Sequence, residues 1–189
     1  MTNELQELLL SYLPKGLHRD ACVAGGYAAD PEQANDIDLW VLGITPEQFD
    51  TVEREIRQHL HNNYLLSSVD PPLRDSQHYD EHPGQFRVVS IQSGPAPMGV
   101  QILITKQPTL GQLLKQFDIS THALGYMVVS REVEQAEGWT SIMEPPRVLT
   151  YARPTATTLR LDRVVARYGV QPPLGDVLKL HTAVMEEAT

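Results

Sequence analysis

Apolar residues at Leu5, Leu8, Leu9, Tyr12 and Leu13 follow an i, i+3, i+4, i+7, i+8 spacing that draws one stripe along a helix. The pattern predicts an amphipathic helix that stops near Pro14. Residues 21–24 form a short apolar run bounded by Gly25-Gly26, too brief for a helix and suited to a buried strand that feeds a tight turn. After a small polar stretch over 27–35, read as a helical turn or loop, a second strand is predicted over 36–42. Thr45-Pro46-Glu47-Gln48 combines a capping threonine, a proline at the first helical position and a glutamine at N3. It announces a helix whose buried stripe is Phe49, Val52, Ile56 and Leu60.

From 62 to 84 the chain turns polar, with Asp70-Pro71-Pro72 and several histidines, and reads as a long loop of the kind that often forms a lid or binding loop. Residues 86–92 and 100–105 are β-rich runs joined through Ser93-Gly94-Pro95-Ala96-Pro97, as neighbouring strands would be. A second capping pattern at 109–112 starts a short helix with Leu110, Leu113, Leu114 and Phe117, followed at once by Asp118. Residues 119–129 fit neither the helix nor the strand period. Beyond Pro145-Pro146, residues 155–168 and 174–187 read as two helices separated by Gly169 and Pro172-Pro173.

These elements predict an α/β (α+β) fold, a small mixed sheet flanked by helices. The expected organisation is a domain over 1–145 with a C-terminal helical segment, 146–189, packed upon it. With 189 residues and 41% hydrophobic content, the chain has enough apolar material for a sizeable core. No run approaches the roughly 18 apolar residues of a membrane span, and Met1-Thr2-Asn3-Glu4 lacks the layout of a signal peptide. A soluble, cytoplasmic protein without a membrane partner is expected. Cys22 is the single cysteine, which leaves no disulfide framework and no cysteine zinc site. It reads as a buried small hydrophobe.

A net charge of −9 argues against a broad non-specific nucleic-acid surface. The charge is unevenly spread: Arg147, Arg153, Arg160, Arg163, Arg167 and Lys179 stand against only Asp162 and Asp176 between positions 147 and 179. An acidic site facing a basic wall is one arrangement such asymmetry allows.

Asp36 and Asp38 open the second strand one residue apart, so they project from one face. Paired carboxylates suit a hard cation such as Mg²⁺ or Mn²⁺, which takes oxygen ligands and is commonly shared with substrate phosphates. The alternative is a turn-capping Asp36 and a solvated Asp38. Gly25 and Gly26 permit close backbone approach to phosphates. On a helix, Arg160, Arg163 and Arg167 share one face, with Leu161, Val165 and Tyr168 turned away from it. That stripe is either a phosphate-binding surface or a solvated one. His59, His61, His78 and His82 form no compact ligand set and are read as surface or loop residues.

Ala24-Gly25-Gly26, a spacer of nine residues and then Asp36-Ile37-Asp38-Leu39 resemble the signature of the DNA polymerase β superfamily of nucleotidyltransferases. The similarity is most specific over residues 20–42 and the later element order is compatible to about residue 130. Among its members the chain most resembles small phage or bacterial minimal proteins. The resemblance implies transfer of a nucleoside monophosphate from an NTP, ATP among the possible donors, to a hydroxyl-bearing acceptor: a nucleic-acid end, a protein or a small molecule. It implies two divalent ions, Asp36 and Asp38 as metal ligands, Gly25 and Gly26 at the triphosphate, and a bacterial or phage-infected cytoplasm. The family's third carboxylate falls on the strand over 100–105, where its position is taken by Gln101. Asp118 either compensates as a catalytic acid or caps the end of its helix. The departure at Gln101 keeps a second expectation open, a catalytically degenerate fold that binds nucleotide or a protein partner as a sensor, inhibitor or antitoxin-like module.

Overall fold

Six short strands form one mixed sheet in the computed structural model, which describes residues 1–64, 87–91 and 98–188. The strands are β1 (Ala21–Ala24), β2 (Asp36–Val41), β3 (Arg87–Ile91), β4 (Gly99–Ile104), β5 (Leu124–Met127) and β6 (Val133–Gln135), in the order β3-β4-β2-β1-β5-β6. β2 and β4 are parallel and the other neighbours antiparallel. Six α-helices accompany them among the described residues: α1 (Asn3–Ser11), α2 (Gly26–Ala29), α3 (Phe49–Tyr64), α4 (Leu110–Leu114), α5 (Pro154–Tyr168) and α6 (Leu174–Glu187). None of the described helices is long and apolar enough to cross a membrane.

The sheet is covered on both faces because its central strands are apolar on both. Ile37, Leu39 and Val41 of β2, with Val100, Ile102 and Ile104 of β4, join Leu9 of α1, Tyr12 and Leu13 just beyond its end, and the Phe49-Val52-Ile56-Leu60 stripe of α3 in one core. The alternate residues, Cys22 and Ala24 of β1, Trp40 of β2 and Leu103 of β4, meet Leu110, Leu113 and Leu114 of α4 on the other face. Strand alternation then puts Asp36 and Asp38 on this second face, at the end of β2 that the short α4 leaves uncovered. A third cluster joins Ile119 and Val148 to Leu161 and Val164 of α5 and Leu180 of α6.

Local chemistry matches the sequence signals at most starts. Thr45 and Gln48 close a reciprocal capping box, the Thr109 hydroxyl accepts from the Gln112 N–H, and Gly169, at φ 72°, ends α5 in the left-handed conformation. Cys22 is fully buried, and burial raises its thiol far above the ordinary range.

Four expectations change. α3 continues to Tyr64, past the predicted start of the polar loop, with the Asn63 amide bonded back to the His59 carbonyl at 2.7 Å. The rest of that loop, His78, His82 and the 93–97 link lie outside the described residues. The ambiguous 119–129 stretch is a 3-10 turn at Ser120–His122 followed by β5. β6 was not foreseen, because all three of its residues are exposed and show no apolar alternation. On α5 the buried positions are Pro154, Thr157, Leu161 and Val164. Val164 replaces Val165 in the buried stripe, and Tyr168 lines the same pocket as Arg163 and Arg167 instead of turning away.

Candidate nucleotide and metal site

β1 leads straight into the site. After the fully buried Ala21–Ala24 run, Gly25 adopts φ 96°, a conformation that L side chains rarely take. A Cβ there would sit 3.3 Å from Asp38 Oδ2 and 3.4 Å from the Phe117 ring, so glycine is what lets the turn lie against the carboxylate. Its N–H donates to the Leu124 carbonyl at 3.1 Å. Gly26 begins α2, and a Cβ there would meet nothing within 4 Å. Space above this residue is open.

Asp36 and Asp38 are both half-buried on the second sheet face. Asp38 pairs across the parallel ladder with Gln101, and the Gln101 amide donates to Asp36 Oδ2 at 2.5 Å. Where a third acid was expected, then, a neutral donor bonds the carboxylate instead. Burial, and secondarily the Asp36 charge, push the Asp38 carboxyl up to about 7. Removing water from a carboxylate beside another carboxylate disfavours its charged form, and a bound cation would reverse that cost.

Asp118 follows α4 at the cleft edge, and its Oδ2 accepts from Thr157 Oγ1 at 2.7 Å and from Arg160 Nε and Nη2 at 3.0 and 2.5 Å. Two adjoining pockets of about 140 and 190 Å³ share Gly26, Asp38, His122 and Arg160. Gly25, Trp40, Phe117 and Asp118 contribute to the first, and Asp36, Arg163, Arg167 and Tyr168 to the second. All the proposed site residues therefore line these adjoining pockets: Gly25, Gly26, Asp36, Asp38 and Asp118 together with the α5 arginines Arg160, Arg163 and Arg167.

His122 borders both pockets and was missed, since nothing in the spacing of 119–129 marks it. Burial lowers it to about 4, against the opposing pull of Asp118 and with smaller contributions from Arg167 and Arg160. It is a neutral imidazole at pH 7. Of the histidines singled out by sequence, the two that are described, His59 and His61, line neither pocket. His59 donates through Nε2 to the Ser11 carbonyl at 2.9 Å, and His61 is exposed on α3.

The fold has parallels among solved structures. A tRNA-processing enzyme in an apo form superposes with a TM-score of 0.57 at 14% identity, covering 97% of this chain and 48% of that one. The chain shares the fold of this enzyme. A tRNA-processing enzyme with CTP (TM-score 0.54, 15% identity, 87% of this chain and 43% of the other) and a CCA-adding enzyme with CTP (0.53, 14%, 97% and 41%) give the same result. The chain thus spans less than half the length of these neighbours. No family model matches the sequence, and no curated protein does.

Proposed function

We propose that this protein moves a nucleoside monophosphate from an NTP to a hydroxyl-bearing acceptor. One observation carries the reading: two carboxylates project from one strand face at an open sheet end, directly opposite a wall of arginines that lines the same pockets. Neighbours of the same fold are described with CTP bound. The sequence likeness over residues 20–42 extends the proposal to the minimal nucleotidyltransferases of phage and bacteria.

A divalent ion fits Asp36 and Asp38. They supply hard oxygen donors on one face, and the Gly25 turn keeps free the space that a Cβ would take against Asp38 Oδ2. Mg²⁺ or Mn²⁺ held there would polarise the α-phosphate and neutralise its charge. The chain's own residues do the rest. Gly25 and Gly26 leave room for the triphosphate tail to approach the backbone, and Arg160, Arg163 and Arg167 offer guanidinium groups to its oxygens. The acceptor oxygen gives up its proton to solvent and bonds to the α-phosphorus as the bond to pyrophosphate breaks.

Transfer of an α-labelled NTP to a panel of nucleic-acid ends, proteins and hydroxylated small molecules, in Mg²⁺ or Mn²⁺, tests the reading. Product is expected from the wild type and not from Asp38→Ala; equal transfer by the variant would sink it. The Gln101–Asp36 hydrogen bond favours a second reading, a fold that binds nucleotide without turning it over. Saturable NTP binding without product on any acceptor would select it.

A further inference from the structure

The residues at hand fit one cation and do not fit two. Gln101 donates its amide to Asp36 across 2.5 Å, and even turned over it would offer a neutral amide oxygen where a second hard cation calls for a carboxylate. Asp118, the other carboxylate at the cleft, has Oδ2 bonded to one hydroxyl and two guanidinium nitrogens. Among the described residues, no three His, Cys, Asp or Glu side chains stand close enough to hold a metal. Arg160 meanwhile borders both pockets beside Asp38.

We propose that the cleft takes a single divalent cation on Asp36 and Asp38, and that Arg160, held in place by Asp118, presents guanidinium donors to the phosphate oxygens where a second ion would otherwise bind them. The inference rests on the proposed nucleotidyl-transfer reading of the cleft. A triphosphate needs more oxygen ligands satisfied than one divalent ion provides, and a guanidinium oriented by a carboxylate presents its remaining N–H donors in a fixed direction, with Arg163 and Arg167 lining the same pocket. Asp118 is then a positioning residue that acts through Arg160. Thr157, wholly buried on α5, donates to the same carboxylate oxygen and helps fix it.

Mn²⁺ titration of the full chain, read by electron paramagnetic resonance, counts the ions. One equivalent per chain is expected in the presence of inorganic triphosphate; two equivalents would overturn the inference. Gln101→Glu is expected to gain a second equivalent, and a variant that still binds one would overturn the account of what excludes it. Asp118→Asn should leave the Mn²⁺ affinity within about threefold of wild type, while a tenfold loss would make Asp118 a ligand and refute the positioning role. Arg160→Gln should weaken inorganic triphosphate binding by about tenfold or more, the usual size of a lost charge-assisted contact; unchanged binding would remove Arg160 from the phosphate contacts. No Mn²⁺ binding at all would refute the underlying metal reading together with this one. A single equivalent without nucleotidyl transfer would leave the one-ion inference standing and refute catalysis.

Discussion

Asp38→Asn should stabilise the protein in the absence of divalent metal while abolishing its function. In the folded chain the Asp38 carboxyl stands at about 7 against an ordinary 3.8. Between those values the folded state holds a proton that the unfolded chain has lost, so stability falls as pH rises through this window and levels off above it. Ionising Asp38 at pH 8 therefore costs the fold at most about 4 kcal/mol, at about 1.4 kcal/mol per tenfold change in proton affinity. Solvent entering the cleft screens part of this, leaving an expected gain of about 2–4 kcal/mol for the neutral amide. His122 contributes the opposite slope, because its depressed value of about 4 makes stability fall as pH drops from 6.5. Both proteins share that term, and their difference cancels it. Urea unfolding of wild type and Asp38→Asn in EDTA, across pH 3.5 to 8, is the assay. The variant's advantage should be near zero at the acid end and grow to its full size by pH 8. An advantage absent at pH 8, or constant across the range, would refute the argument that Asp38 is held charged at a cost.

His122→Gln should flatten the loss of stability between pH 6.5 and about 4, measured by the same titration; an unchanged slope would remove the buried neutral imidazole from the account. Asp176→Asn should cost about 1–3 kcal/mol at pH 7, because the Asp176 carboxylate accepts from Arg147 Nε at 2.7 Å and the Val148 N–H at 3.2 Å. Arg147, the foremost cause, holds the Asp176 carboxyl below its ordinary value, so this contribution is present at neutral pH and is lost as acid takes the carboxylate through its depressed pKa. Denaturant melts at pH 7 and in acid check both halves. Gly25→Ala should lose about 1–3 kcal/mol through the φ of 96° and should also weaken metal-dependent NTP binding, since its Cβ meets Asp38 Oδ2.

The sheet and its carboxylates were legible for a simple reason: period and punctuation agree there. Ala21 to Ala24 is apolar throughout, Gly25-Gly26 ends it, and Asp36-Ile37-Asp38-Leu39-Trp40 alternates so cleanly that the face of each side chain follows from the pleat. Gln101 was placed beside the aspartates through the family resemblance, and β4 does set it opposite Asp38, but its role as a donor to Asp36 depends on a cross-strand distance that no pattern encodes. Asp118 illustrates the limit more sharply. Its neighbours in sequence describe a helix end, whereas its bonding partners Thr157 and Arg160 come from a helix some 40 positions away. His122 carries no periodic signature at all, and its significance is purely its position between two pockets. β6 was invisible because a three-residue, fully exposed edge strand is specified by pairing with β5 and not by its own hydrophobicity.

The most direct test of the central claim is calorimetric titration of a non-hydrolysable NTP into the protein with Mn²⁺ or with EDTA. One nucleotide per chain should bind in Mn²⁺, with binding lost in EDTA and in the double variant Asp36→Asn, Asp38→Asn. Nucleotide binding indifferent to both the metal and the two aspartates would contradict the account.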